Sequence, residues 1–124
     1  MVVDDETSIC RLVATLLEAR GHRVLQADGG HQALEAADGW GRPVDLLITD
    51  VRMRGMDGTN LAREMVLKYP RLRIIFMSGY FGEEDGRPEA VPGSWEFIAK
   101  PFPLPDLISM VNRVLDGLVG AAKT

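Results

Sequence analysis

VDLLIT at residues 44–49 and LRIIFM at residues 72–77 are the two stretches whose reading decides the fold. Each is short for a helix, and each is apolar on nearly every residue rather than on alternate ones, which is the pattern of a strand covered on both faces. Such strands belong to parallel sheets, where a helix carries the chain back between consecutive strands. Working outward, further strand candidates lie at Met1 to Asp4, Arg23 to Ala27 and Trp95 to Ala99. Stretches of helical period separate them, so five strands alternating with helices predict an α/β domain.

Ile9, Leu12, Val13, Leu16 and Leu17 repeat at the spacing of one buried helical stripe, and Gly21 supplies a stop. A last helix has Pro105 near its first turn and Leu107, Ile108, Val111, Val114, Leu115 and Leu118 along one face. Shorter helices are expected at about His31 to Ala37 and Thr59 to Lys68, each following a glycine, with Trp40 in a loop between Gly39 and Gly41. Between the fourth and fifth strands, Gly82, Gly86, Pro88, Pro92 and Gly93 interrupt any two-turn helix, so a short or irregular fourth helix is expected.

At 124 residues, 46% hydrophobic and 26% charged, the chain reads as one globular domain spanning residues 1–124. Its net charge of −4 and its lack of a dense basic cluster argue against direct nucleic-acid binding. No apolar run reaches the length of a membrane span, so no membrane insertion is expected. The lone Cys10 has no partner for a disulfide and fits a reducing compartment, hence a cytoplasmic location. His22 and His31 lack metal-ligand spacing with each other or with Cys10, and read as surface histidines.

In an open parallel sheet the ligand site lies at the carboxyl ends of the strands. There the first strand runs into Asp4, Asp5 and Glu6, the third ends at Asp50, the fourth is followed by Ser78, and the fifth by Lys100 and Pro101. If the first and third strands are neighbours, Asp4, Asp5 and Asp50 converge. Three adjacent carboxylates repel one another unless a pKa rises or a cation binds, and an all-oxygen donor set favours Mg²⁺. Asp50 then has the chemistry of a nucleophile toward a phosphoryl group. Lys100 supplies a positive charge and Ser78 a hydroxyl donor to the transferred oxygens.

Taken singly, each of these residues has a plainer reading: Asp4 and Asp5 as helix caps, Asp50 as a turn residue, Lys100 as a solvated charge, Phe97 as core packing. Jointly they form a pattern. VVDDE at 2–6, LLITDVRMRGMDG at 46–58, MSGY at 77–80 and KPF at 100–102 make the whole chain resemble the response-regulator receiver domains of two-component signalling. The resemblance implies a doubly wound, flavodoxin-like sheet of order 2-1-3-4-5. It implies Asp50 as phosphoacceptor, Asp5 and Asp50 as Mg²⁺ ligands with the backbone carbonyl of Arg52, and Asp4 acting through water. It further implies Ser78 as a switch hydroxyl, Lys100 as the phosphate-pairing lysine, Phe97 as a switch aromatic, and a cis peptide before Pro101.

By the same resemblance the phosphoryl donor is a histidine kinase or histidine phosphotransfer domain. The result is a conformational switch that acts on an output domain or downstream protein outside this chain, or passes the phosphoryl group on. FMSGY followed by KPF looks like the receiver part of a hybrid histidine kinase. Arg54 departs from the family's usual proline, loosening the loop after Asp50 and adding positive charge, while Arg52 and Tyr80 flank the path of a hydrolytic water. The resemblance makes the domain a regulatory phosphoacceptor rather than a turnover enzyme. Two rivals remain open: a receiver-like module that only docks, and a Mg²⁺-dependent phosphohydrolase. The latter needs a second acid, and position 52, two residues beyond the nucleophile, is arginine.

Overall fold

A computed structural model describes residues 1–79 and 95–123, with side chains up to residue 116 in the last helix. Its elements are β1 (Val2–Val3), α1 (Thr7–Glu18), β2 (Gln26–Ala27), α2 (Gly30–Trp40), β3 (Leu46–Asp50), α3 (Gly58–Lys68), β4 (Arg73–Ser78), β5 (Trp95–Ala99) and α4 (Leu104–Lys123). The strands form one parallel sheet in the order β2-β1-β3-β4-β5. That order puts β1 and β3 side by side, with Val3 opposite Thr49, and so brings the residues after them to the same edge.

Strand alternation divides the interior into two layers. Val3, Leu47, Ile74 and Phe76 face one cluster with Ala33, Ala37, Leu61 and Met65 of α2 and α3. Val2, Leu46, Ile48, Ile75, Met77 and Ile98 face the other with Val13, Leu17, Leu107, Ile108 and Val111 of α1 and α4. Both faces of β3 and β4 are therefore covered, which is why their sequences are continuously apolar. Each fully buried aliphatic side chain contributes about 1.5–3 kcal/mol relative to exposure.

Several boundaries differ from expectation. The first two strands are shorter than Met1 to Asp4 and Arg23 to Ala27, because β1 offers only Val2 and Val3 for pairing on each side. In α1 the buried arc is Cys10, Val13, Ala14 and Leu17, while Leu12 at the edge of the apolar stripe is half exposed. Trp40 is not a loop residue: α2 continues through Gly39 to Trp40 and stops where Gly41 takes a left-handed φ of 75°. A helical glycine costs only about 1 kcal/mol relative to alanine, and staying in the helix lets the indole pack on the first cluster. The Arg42 guanidinium lies 5.4 Å from that indole ring's centroid. Tyr80 and the glycine- and proline-rich segment 82–93 lie outside the described residues, as does the side chain of Leu118.

Cys10 is buried beneath the sheet, its thiol donating to the Val2 carbonyl at 3.3 Å and more weakly to that of Ala27 at 3.7 Å. Burial pushes the thiol pKa up, so little thiolate forms at neutral pH. Cys10 is therefore expected to react with a chromogenic disulfide reagent only on unfolding, and rapid labelling of the native protein would contradict this placement.

Candidate functional site

The polar residues expected at the strand ends are gathered at the carboxyl edge. Asp4 and Asp5 follow β1, Asp50 ends β3, Ser78 ends β4 and Lys100 follows β5. One oxygen from each of Asp4, Asp5 and Asp50 lies within 4.8 Å of the others. Asp4 is fully buried, Asp50 half-buried and Asp5 exposed, so the cluster opens to solvent on the Asp5 side.

Lys100 closes the other side. Its ammonium donates to Asp4 Oδ2 at 2.7 Å and to Asp50 Oδ2 at 3.3 Å. Burial pushes the Asp50 pKa up, and the charges of Asp4 and Asp5 push the same way, while Lys100 opposes them. For Lys100 burial favours the neutral amine, but the bond to Asp4 and the charges of Asp4 and Asp50 outweigh it, leaving its pKa raised. Its carboxylate partners keep the lysine charged against the cost of burial.

Local backbone structure fixes this arrangement. The Glu6 N–H donates to Asp4 Oδ1 at 2.9 Å, turning the chain from β1 into α1. The Lys100 N–H donates to the Ser78 carbonyl at 2.8 Å, registering the end of β5 on β4, and the Lys100–Pro101 peptide is cis. Thr49, fully buried, donates its hydroxyl to the Asp50 carbonyl at 3.0 Å. Arg54 contributes more than charge: its N–H donates to Asp5 Oδ2 at 3.4 Å, a bond that proline could not make. Arg52 is exposed in the same loop, two residues beyond Asp50.

Asp4, Asp5, Asp50 and Lys100 thus form one contact cluster. Ser78 is buried beside it and joins through its backbone. Phe97 does not lie in the cluster: its half-buried ring packs on Phe76 at 5.9 Å and Trp95 at 6.2 Å between centroids, one pleat behind the strand end. Two contributors were not singled out from sequence. Thr49 was read only as an apolar strand's last residue. Gly58, the first residue of α3, sits so close to the Asp50 carbonyl that a Cβ there would lie 1.9 Å from the oxygen. A glycine opening a helix in the MDG tripeptide was the available signal.

Residues 1–112 match the response regulator receiver domain family. The chain is 34% identical to the sensor kinase CckA of Brucella abortus over 116 residues, 94% of this chain but 12% of that protein. It is 30% identical to the response regulator receiver protein CpdR of the same organism over 115 residues, covering 93% of this chain and 94% of CpdR. Among solved structures, a CheY-like receiver domain protein of Methanospirillum hungatei superposes with a TM-score of 0.86 at 25% identity, covering 97% of this chain and 94% of that one. Similarity therefore spans the receiver portion of a much longer kinase and nearly the whole of a short regulator. With its sheet order and the residues at its strand ends, the chain belongs to the response regulator receiver domain family of two-component signalling.

Proposed function

We propose that this domain accepts a phosphoryl group on Asp50 from a phosphohistidine donor, a histidine kinase or histidine phosphotransfer domain, with Mg²⁺ bound at the acidic cluster. The convergence of three carboxylates on one point, with Lys100 donating to Asp50 from the far side, carries this reading. The donor set is oxygen only and carries several negative charges, which suits a hard divalent cation. Asp5, Asp50 and the Arg52 carbonyl would hold it, with Asp4 acting through water. When bound, Mg²⁺ supplies positive charge against the transferred oxygens.

In the transfer, a carboxylate oxygen of Asp50 forms a bond to phosphorus as the phosphorus–nitrogen bond of the donor breaks, and the electron pair leaves with the imidazole. Lys100 exchanges part of its contact with the carboxylates for a phosphoryl oxygen, and the Ser78 hydroxyl donates to another. Inward recruitment of Ser78 relieves the packing around Phe97, whose ring lies on the neighbouring strand, and biases the face carried by β5 and α4. The output is a domain or partner beyond this chain. The likeness to a segment of the CckA sensor kinase favours a place within a larger sensor kinase, and the likeness to CpdR a short free-standing regulator. Among the described residues no helix is long and apolar enough to cross a membrane. We place the domain's action in the cytoplasm, where the free thiol of Cys10 stays reduced.

Beryllofluoride, a phosphoryl mimic, provides the test. With Mg²⁺ it is expected to shift the amide resonances of Asp50, Ser78 and Lys100 in the wild type and to leave those of Asp50→Asn in place. Absence of a Mg²⁺-dependent response in the wild type would favour a docking-only module. Steady turnover of small phosphate esters would favour a phosphohydrolase.

A further inference from the structure

Met56 lies in the loop from β3 to α3, the loop that carries the Arg52 carbonyl. Its side chain covers Gly30, the buried first residue of α2: a Cβ at Gly30 would lie 2.7 Å from both Cβ and Sδ of Met56 and 2.9 Å from its Cγ. The near half of the loop is secured by the buried Val51 and Met53 and the far end by the Gly58 N–H, which donates to the Val51 carbonyl at 2.8 Å. Between Met53 and Gly58, residues Arg54, Gly55 and Asp57 are exposed, and Met56 alone packs on the core beneath α2. In that same interval the Arg54 N–H reaches Asp5.

We propose that Met56, seated on Gly30, is a positioning residue that holds this loop in the arrangement competent for metal binding. The inference rests on the reading of the acidic cluster as a Mg²⁺ site. Its physical basis is that an ion held partly by a backbone carbonyl is sensitive to small loop displacements, as metal sites are to the groups that orient their ligands. The absence of a side chain at Gly30 is what lets the thioether reach its seat, and any larger residue there displaces it.

The test is a Mg²⁺ titration followed by NMR, with unfolding midpoints measured in metal-free buffer. Met56→Ala is expected to weaken Mg²⁺ binding about tenfold and Met56→Leu to retain it. Gly30→Ala should also weaken binding, since its methyl group would fall 2.7 Å from Cβ and Sδ of Met56 and displace that side chain from its seat. Val66→Ala, in the same core cluster on α3, should lower the midpoint and leave Mg²⁺ affinity within about twofold. Wild-type affinity in Met56→Ala, or an equal loss in Val66→Ala, would overturn the positioning role. A wild type that does not bind Mg²⁺ would instead overturn the metal reading, and this inference with it.

Discussion

Gly58→Ala is expected to destabilise the domain by about 3 kcal/mol or more, a loss large for one methyl group. The added Cβ would fall 1.9 Å from the Asp50 carbonyl oxygen, 2.9 Å from its carbon and 3.1 Å from the Thr49 hydroxyl. None of these is the free end of a flexible side chain. The first two are backbone at the end of β3, and Thr49 is buried with its hydroxyl engaged. Relief requires α3 to move away from β3, breaking the Gly58 to Val51 bond, or Asp50 to shift out of the cluster. Gly39→Ala is the informative contrast, because a Cβ there meets nothing within 4 Å. Gly39 lies inside α2, so alanine is expected to stabilise by about 0.5–1 kcal/mol. Denaturant unfolding of both variants checks the pair. A Gly58→Ala protein as stable as the wild type would mean that α3 does not sit against Asp50 as described.

The same contact explains how far the site was legible in sequence. Asp4, Asp50, Ser78 and Lys100 could be found because apolar strands make their own carboxyl ends visible, and a parallel sheet collects those ends at one edge. Gly58 is less legible, because a glycine at the start of a helix has the same appearance whether it ends a turn or admits a neighbouring carbonyl. The pairing of Lys100 with Asp4 was equally hidden. The two are 96 positions apart, and Lys100 was assigned to an incoming phosphate rather than to a resting partner 2.7 Å away. Leu12 and Trp40 show the limits of pattern at element edges. Periodicity places a residue within a stripe but not how far the covering helix reaches, and a Gly-Trp-Gly sequence hides which glycine takes the left-handed turn. Phe97 is legible as an aromatic on a strand, and its packing against Phe76 and Trp95 follows from strand register rather than from residue type.

Lys100→Met is expected to cost about 3–5 kcal/mol at neutral pH in the absence of divalent cations, the range for removing one partner of a buried ion pair. Methionine keeps most of the volume, so the loss is electrostatic: the fully buried Asp4 loses its 2.7 Å cation, and Asp50 loses the group that opposes its raised pKa. The sign of the pH dependence follows. With the lysine gone, Asp50, whose pKa burial already raises, holds its proton to higher pH in the folded than in the unfolded chain, so stability falls as pH rises through that interval. The deficit should therefore be smaller under mildly acidic conditions, where Asp50 takes up a proton, and larger at neutral pH, where the wild type still has its lysine charged. In the wild type the contribution of Lys100 is present at neutral pH and is lost only in the alkaline range, above the ordinary lysine pKa, because its folded value is raised. Asp4→Asn in the Lys100→Met background should recover part of the loss by removing the stranded charge. Mg²⁺ should recover stability in Lys100→Met more than in the wild type, by supplying to the carboxylates the positive charge that the ammonium no longer provides. A deficit that is independent of pH and unmoved by Mg²⁺ would show that Lys100 acts through packing rather than charge.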